Sequence, residues 1–136
     1  LELPLHGGLL KLVGDLNRAY LEHPSWAKTD HQGAKFRWVD CHDREGQTLS
    51  FLRFGDGREE ALLIVCNFSN QLAHREWGCP FSGDWKVLLD SDSPDYGGEG
   101  AAGDTRFVAM DHACHDLPYA LSVPVGRWSV RILCPQ

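Results

Sequence analysis

The hydrophobic period of this chain changes once, near residue 33, and that switch restricts the fold more than any other feature. Between Leu9 and Glu22 the apolar residues Leu9, Leu12, Val13, Leu16, Ala19 and Tyr20 recur at intervals of three and four, a spacing that stacks side chains along one stripe of an α-helix. Lys11, Asp15, Arg18 and Glu22 fall on the opposite face, and Lys11 with Asp15 forms an i,i+4 pair worth a few tenths of a kcal/mol. Gly14 weakens the helix by about 1 kcal/mol relative to Ala. Pro24 ends it, because proline lacks the N–H and clashes with the preceding turn. Ser25 stands where it could cap a short second turn carrying Trp26, and His31, Gln32 and Gly33 read as loop.

From there the period is two. Phe36 to Asp40, Gln47 to Phe54, Ala61 to Phe68, Arg75 to Gly78, Trp85 to Asp90, Arg106 to Met110, Tyr119 to Val125 and Trp128 to Leu133 are short runs rich in β-branched and aromatic residues. Hairpin-like clusters separate several of them, at Asp43 to Gly46, Gly55 to Gly57, and Gly126 with Arg127. Many short strands at this spacing predict a mostly-β chain, an antiparallel sandwich or a barrel, preceded by one N-terminal helix. In the last run Trp128, Val130 and Ile132 share one face, expected to meet the core, and Ser129 and Arg131 the other, expected to meet water. Ala61 to Cys66 is apolar on both faces, which predicts a central strand or one beneath the helix. Organisation follows the period: a helical segment over 1–30 and a β domain over 31–136.

Composition excludes several classes of function. The 136 residues are 43% hydrophobic and 24% charged, ordinary for a globular domain, with a formal charge of −6. No basic block is present to neutralise a row of phosphates, so nucleic acid is not an expected partner. The longest apolar run is far too short for a bilayer, and no secretory signal is visible. Five cysteines, an odd number without a C-x-x-C pair, read as reduced thiols in a cytoplasmic protein. The first residue is Leu1 and the single methionine is Met110, so the chain is expected to be a segment of something longer.

Two local clusters invite chemistry. Asp111, His112, Cys114, His115 and Asp116 are potential metal ligands, or a Cys-His-Asp nucleophile set, but close neighbours in sequence seldom converge on one ion or form triad geometry. The run Asp90-Ser91-Asp92-Ser93-Pro94-Asp95 has the acidic alternation of a calcium loop, yet Gly is missing at its sixth position and Glu at its twelfth, Ala101. Asx and Ser turn chemistry is the expected reading. No metal and no cofactor is assigned.

Three ordered segments carry a more specific signal. The first is His6-Gly7-Gly8 followed by Leu12-Val13-Gly14-Asp15-Leu16-Asn17-Arg18-Ala19-Tyr20. The second is Phe36-Arg37-Trp38-Val39-Asp40, then Asp43, Ser50-Phe51-Leu52-Arg53 and Val65-Cys66-Asn67-Phe68-Ser69. The third is Trp85 to Asp92, then Tyr96-Gly97-Gly98 and Pro118 to Pro124. In this order they resemble the C-terminal part of glycogen branching enzymes of the α-amylase superfamily. Asp90 departs from the family's usual Asn, Glu99 from its Ser, and Arg75-Glu76-Trp77-Gly78 from its Tyr-Arg-aliphatic-Gly run.

The resemblance implies an antiparallel β-sandwich, the all-β domain that follows a catalytic barrel, with residues 1–30 as the barrel's last helical segment. Such enzymes cut an α-1,4-glucan and rejoin it through an α-1,6 bond with retention, chemistry that needs two carboxyl groups about 5–5.5 Å apart. In the family these lie upstream of the segment matched here, so no catalytic residue is assigned to this chain. The implied partners are the barrel and α-glucan, and excision of the helix's apolar stripe predicts local docking or self-association. Aromatic rings stack on pyranose faces. Trp38, Trp85 and Trp128 alternate with apolar neighbours and are expected in the core, whereas Trp77, beside Arg75 and Glu76, and Tyr96, in a long loop, are the candidates for glucan contact.

Overall fold

The computed structural model describes residues 3–136, so residues 1 and 2 of the expected helical segment lie outside the described residues. Helix α1 runs Pro4–Glu22, earlier than the apolar period indicated, because Pro4 in the first turn has the φ a helix needs and its missing N–H is no loss there. His23 breaks the path in an extended conformation, and α2 (Pro24–Ala27) follows. Ser25 does not cap it. With His23 already at the N-cap, Ser25 is buried, its hydroxyl 2.9 Å from His23 Nδ1.

All the expected strand runs are present, with adjusted ends: β1 (Phe36–Asp40), β2 (Thr48–Arg53), β3 (Leu62–Asn67), β4 (Ala73–Cys79), β5 (Gly83–Asp90), β6 (Arg106–Ala109), β7 (Tyr119–Val125) and β8 (Ser129–Pro135). Six of them form one antiparallel sheet in the order β1-β2-β3-β8-β5-β6, and β4 with β7 forms a two-stranded second layer. The fold is therefore the expected antiparallel sandwich with a helix at its N-terminal side.

Two hydrophobic clusters sit on opposite faces of the large sheet. Between the layers, Leu52, Leu63, Val65 and Leu133 meet Trp77, Leu121, Val123 and Val125, with Trp85 at the same level. On the outer face, Leu62, Ile64, Cys66, Leu89, Ile132 and Cys134 receive Leu12 and Leu16 of α1 and Trp26 of α2. Every residue of β3 is buried, which is why its sequence reads as a continuous apolar run. It is both a central strand and one that lies beneath the helix.

The same double coverage corrects the reading of β8. Ser129 and Arg131 do not face water; they point into the sandwich, and Arg131 is only 1% exposed. With helices on one side of the sheet and a second sheet on the other, no face of a central strand is wet. Arg131 is accommodated by a short ion pair, Nε to Asp90 Oδ2 at 2.7 Å, by a hydrogen bond from Nη1 to the Pro124 carbonyl at 3.1 Å, and by the Phe107 ring 5.9 Å from its guanidinium carbon. Asp90, where the resemblance leads one to expect Asn, is thus matched to a buried cation. Trp128 sits in the turn before β8 with φ +51° and is 67% exposed, outside the core expected for it.

Asp90→Ala should therefore cost about 3–5 kcal/mol, because it strands a buried guanidinium. The double variant Asp90→Asn/Arg131→Leu should lose clearly less than Asp90→Ala in urea unfolding. A larger loss in the double variant would contradict this account of the pair.

Candidate functional site

The helix-bearing face of the large sheet concentrates the exposed chemistry. Helix α1 does not lay its apolar stripe down whole. Gly8, Leu12, Asp15, Leu16 and Ala19 face inward to varying degrees, while Leu5, Leu9, Leu10, Val13 and Leu21 remain exposed. The contact that selects this rotation is polar. Asp15 accepts a hydrogen bond from the Tyr96 hydroxyl at 2.9 Å and from Lys11 Nζ at 2.9 Å, and Lys11 lies 4.9 Å from the centre of the Tyr96 ring. Arg18 pairs with the other oxygen at 3.1 Å. Lys11, then Tyr96, hold the Asp15 carboxyl below its usual range, and burial followed by Asp15 pushes the Tyr96 hydroxyl up to about 12. Gly8 rests directly on the Tyr96 backbone, where an added Cβ would collide with the carbonyl.

Tyr96 belongs to a loop that its composition marks as polar and that turns out to be tightly tied. Asp90 accepts from the Asp92 amide at 2.9 Å, and Asp92 accepts from the amides of Glu99 and Ala101 at 2.9 and 3.0 Å. The Ser93 hydroxyl accepts from the Asp95 amide, and Gly97 takes φ +88° to let the chain turn back. These carboxylates do turn chemistry with backbone N–H groups, as expected of the run.

The aromatic candidates need correction. Trp77, expected at the surface beside its charged neighbours, is 1% exposed, and its indole N–H donates to the Val123 carbonyl at 3.1 Å. Burial deepens along β4: Arg75 reaches out to Asp43 near the start of the strand, while Trp77 and Cys79 lie within the core that includes Leu121 of β7. No ring face is left for a sugar. Tyr96 is half-buried, with its hydroxyl on Asp15 and Lys11 over its ring, so it serves as the joint between loop and helix. Trp85 is buried as expected.

Trp38, expected in the core, is 49% exposed. It lies edge-on to Phe36 at 5.0 Å and to Phe51 at 5.9 Å, and Phe36 stacks on Phe51 at 5.4 Å. Because Phe51 joins the outer-face cluster, this trio extends that face beyond the helix as an open aromatic platform. The signal for it was the edge position of β1, which sequence alone does not give.

The Cys-His patch folds into a two-residue turn. Cys114 and Leu117 exchange backbone hydrogen bonds at 3.0 and 2.9 Å, with His115 at φ +51° and Asp116 at φ +59°, the paired left-handed conformation of a type I′ turn. The Gly78 amide donates to His115 Nδ1 at 3.1 Å, which leaves the proton on Nε2, 3.6 Å from Asp40. Cys114 Sγ lies 3.3 Å from that same Nδ1. Burial, then the charges of Glu76 and Asp40, push the thiol up, so it stays neutral where a nucleophile must be a thiolate. Asp116 is not brought into the set. Among the described residues no group of three or more His, Cys, Asp or Glu converges as metal ligands.

These features define a β-sandwich domain with a helix seated on its large sheet and an exposed aromatic platform beside it. The chain belongs to the family of α-amylase C-terminal all-beta domains, whose family model matches residues 38–136. It is similar to 1,4-alpha-glucan branching enzymes GlgB. Against that of Rhodospirillum rubrum it is 38% identical over 99 residues, 72% of this chain and 13% of that enzyme. Against that of Cereibacter sphaeroides it is 35% identical over 136 residues, 99% of this chain and 18% of the enzyme. With that of Bacillus subtilis the figures are 32% over 131 residues, 96% and 21%. The chain thus spans between 13% and 21% of the length of these relatives.

The joint between α1 and the loop makes two predictions. Gly8→Ala and Gly14→Ala carry the same gain in helix propensity, about 1 kcal/mol. Only Gly8 has the Tyr96 backbone against it, while Gly14 faces open space. Hydrogen exchange of α1 should therefore accelerate in Gly8→Ala and slow in Gly14→Ala; protection gained in both would show that α1 is not seated as described. The second concerns pH. A Tyr96 hydroxyl raised from 10.0 to about 12 contributes its stabilisation fully below pH 10 and loses it as pH rises through about 12. Asp15, lowered from 3.8, contributes above that value and loses it as pH falls through its lowered one. Tyr96→Phe should abolish the alkaline step in α1 exchange and leave the helix less protected at neutral pH.

Proposed function

We propose that this chain is the non-catalytic C-terminal domain of a glycogen branching enzyme, that it seats the enzyme's catalytic barrel through α1, and that it helps hold α-1,4-glucan. The observation that carries the reading is the two-sided character of α1. One side is fixed on the sandwich. The other presents Leu9, Leu10 and Val13 with His6 as an open apolar surface that no other described residue lines. A domain that spans at most about a fifth of its relatives' length, with a helix apolar on its free side, is suited to packing on the remainder of such an enzyme. On this reading residues 1–30 close the barrel and 31–136 form the sandwich.

The barrel would carry the two carboxyl groups for cutting the α-1,4 bond and forming the α-1,6 bond with retention. The sandwich contributes rigidity and surface. Glucan contact falls to the platform of Trp38, Phe36 and Phe51, where a half-exposed indole offers a face to a pyranose ring. The five unpaired thiols suit a reducing cytoplasm. No described helix is long and apolar enough to cross a membrane.

The second reading, an autonomous carbohydrate-binding module, is favoured by the same platform and differs in needing useful affinity without the barrel. In a native gel containing glycogen the chain alone should be weakly retarded, and Trp38→Ala should remove most of the retardation. Strong retardation would favour the autonomous module. None at all would remove glucan contact from the proposal.

The docking claim is tested separately. Leu9→Glu/Val13→Glu should leave the isolated chain folded but prevent its association with the rest of the enzyme expressed as a second polypeptide. Unchanged association would defeat it. If a second copy covers α1 instead, sedimentation of the chain alone will show dimers that this variant abolishes.

A further inference from the structure

The connection between β3 and β4 and the hairpin between β1 and β2 enclose a polar groove of about 500 Å³, whose lining includes no residue of α1 or of the Phe36–Trp38–Phe51 platform. Its lining includes Glu45, Gln47, Asn70, Gln71, Leu72 and His74. Two buried side chains make its walls rigid. Asn67, 1% exposed, donates to the carbonyls of Gln71, Val125 and Gly126 at 2.8, 3.1 and 3.0 Å, and accepts from the Ser69 amide and hydroxyl at 2.9 and 2.8 Å. Asp43 accepts from the Gly46 amide at 2.9 Å, from Thr48, and from Arg75 at 2.6 Å. Burial opposes its ionisation, but these three donors outweigh that and hold its carboxyl below the usual range. The walls are joined where the Phe68 amide donates to the Gln47 carbonyl at 2.9 Å.

What the groove leaves unused is specific. The side-chain amides of Gln47, Asn70 and Gln71 are exposed and, among the described residues, have no hydrogen-bond partner in the protein. Gln47 is also held at φ +54°, where glycine would be unstrained. Arg75, the cation at the groove, is committed to Asp43, so phosphate or sulfate finds no free positive charge and faces Glu45. Each side-chain amide pairs two donors with an acceptor, the match for adjacent hydroxyls that both donate and accept. The volume lies within the range of small-molecule sites, and exposed Leu72 offers a patch for the C–H face of a ring.

We infer that this groove is a second carbohydrate subsite, in which Gln47, Asn70 and Gln71 bind the hydroxyls of a neutral linear α-glucan on a rigid frame set by Asn67 and Asp43. The inference rests on the α-glucan reading above and adds a location distinct from the Trp38 platform. Two subsites on one small domain raise the effective concentration of a long chain at each.

The test is a titration of the ¹⁵N-labelled 136-residue chain with maltoheptaose, following the side-chain NH₂ signals of Gln47, Asn70 and Gln71 and the indole N–H of Trp38. The groove signals should shift and saturate. Gln47→Ala/Gln71→Ala should weaken the response read at the remaining Asn70 signal roughly tenfold, the scale of a few lost hydrogen bonds, while the Trp38 response and the rest of the spectrum stay as they were. Shifts at Trp38 with a silent groove overturn the subsite and leave the glucan reading standing. Silence at both overturns both. Groove shifts of equal size with glycerol overturn the subsite as well.

Discussion

The burial of the central strands β3 and β8 on both faces is the constraint on which the rest of the molecule depends. A six-stranded sheet whose middle is apolar on both sides must be covered twice, and among the described residues only β4 and β7 lie in strands outside it. The β4–β7 layer covers one side. The other side falls to α1 and α2, so the helical segment is structural for the sandwich even though it precedes it in sequence. The same double coverage brings Arg131 into the interior and makes Asp90 its obligatory counter-ion.

Covering the outer face with α1 and the short α2 leaves part of the sheet and part of α1 bare. α1 is fixed at one end of the sheet by the loop around Tyr96, and that loop is itself held by Asp90 and Asp92. A path of direct contacts thus links the buried ion pair to the rotation of α1, through Asp90, the Asp92 amide, the loop and Asp15. Because α1 is seated by Gly8, Leu12 and Asp15, its remaining leucines point outward, and because it does not reach β1, the Phe36–Trp38–Phe51 platform stays open. Both open surfaces follow from where α1 stops.

Much of the fold was legible in the sequence because the period changes cleanly and turn residues mark nearly every hairpin. The β8 alternation misled because polar residues on a doubly covered strand face a protein interior, and an arginine with a buried aspartate looks in sequence like an arginine in water. The aromatic residues were less legible for a related reason. Trp77 has charged neighbours but lies deep along its strand, while Trp38 has apolar neighbours but lies on an edge strand; only strand order separates the two. The amide groove left no periodic signal at all, since its lining comes from two separate segments joined by the Phe68–Gln47 backbone hydrogen bond and the Arg75–Asp43 pair. The ordered motifs gave the family, which the match over residues 38–136 shows.

We propose an accessory domain, with glucan contact but no glucan chemistry of its own. Incubating it with amylose and following the iodine complex tests that most directly. Unchanged staining over a period in which a complete branching enzyme bleaches the colour is the predicted result, and a spectral shift from the chain alone, lost on heat denaturation, would contradict the account.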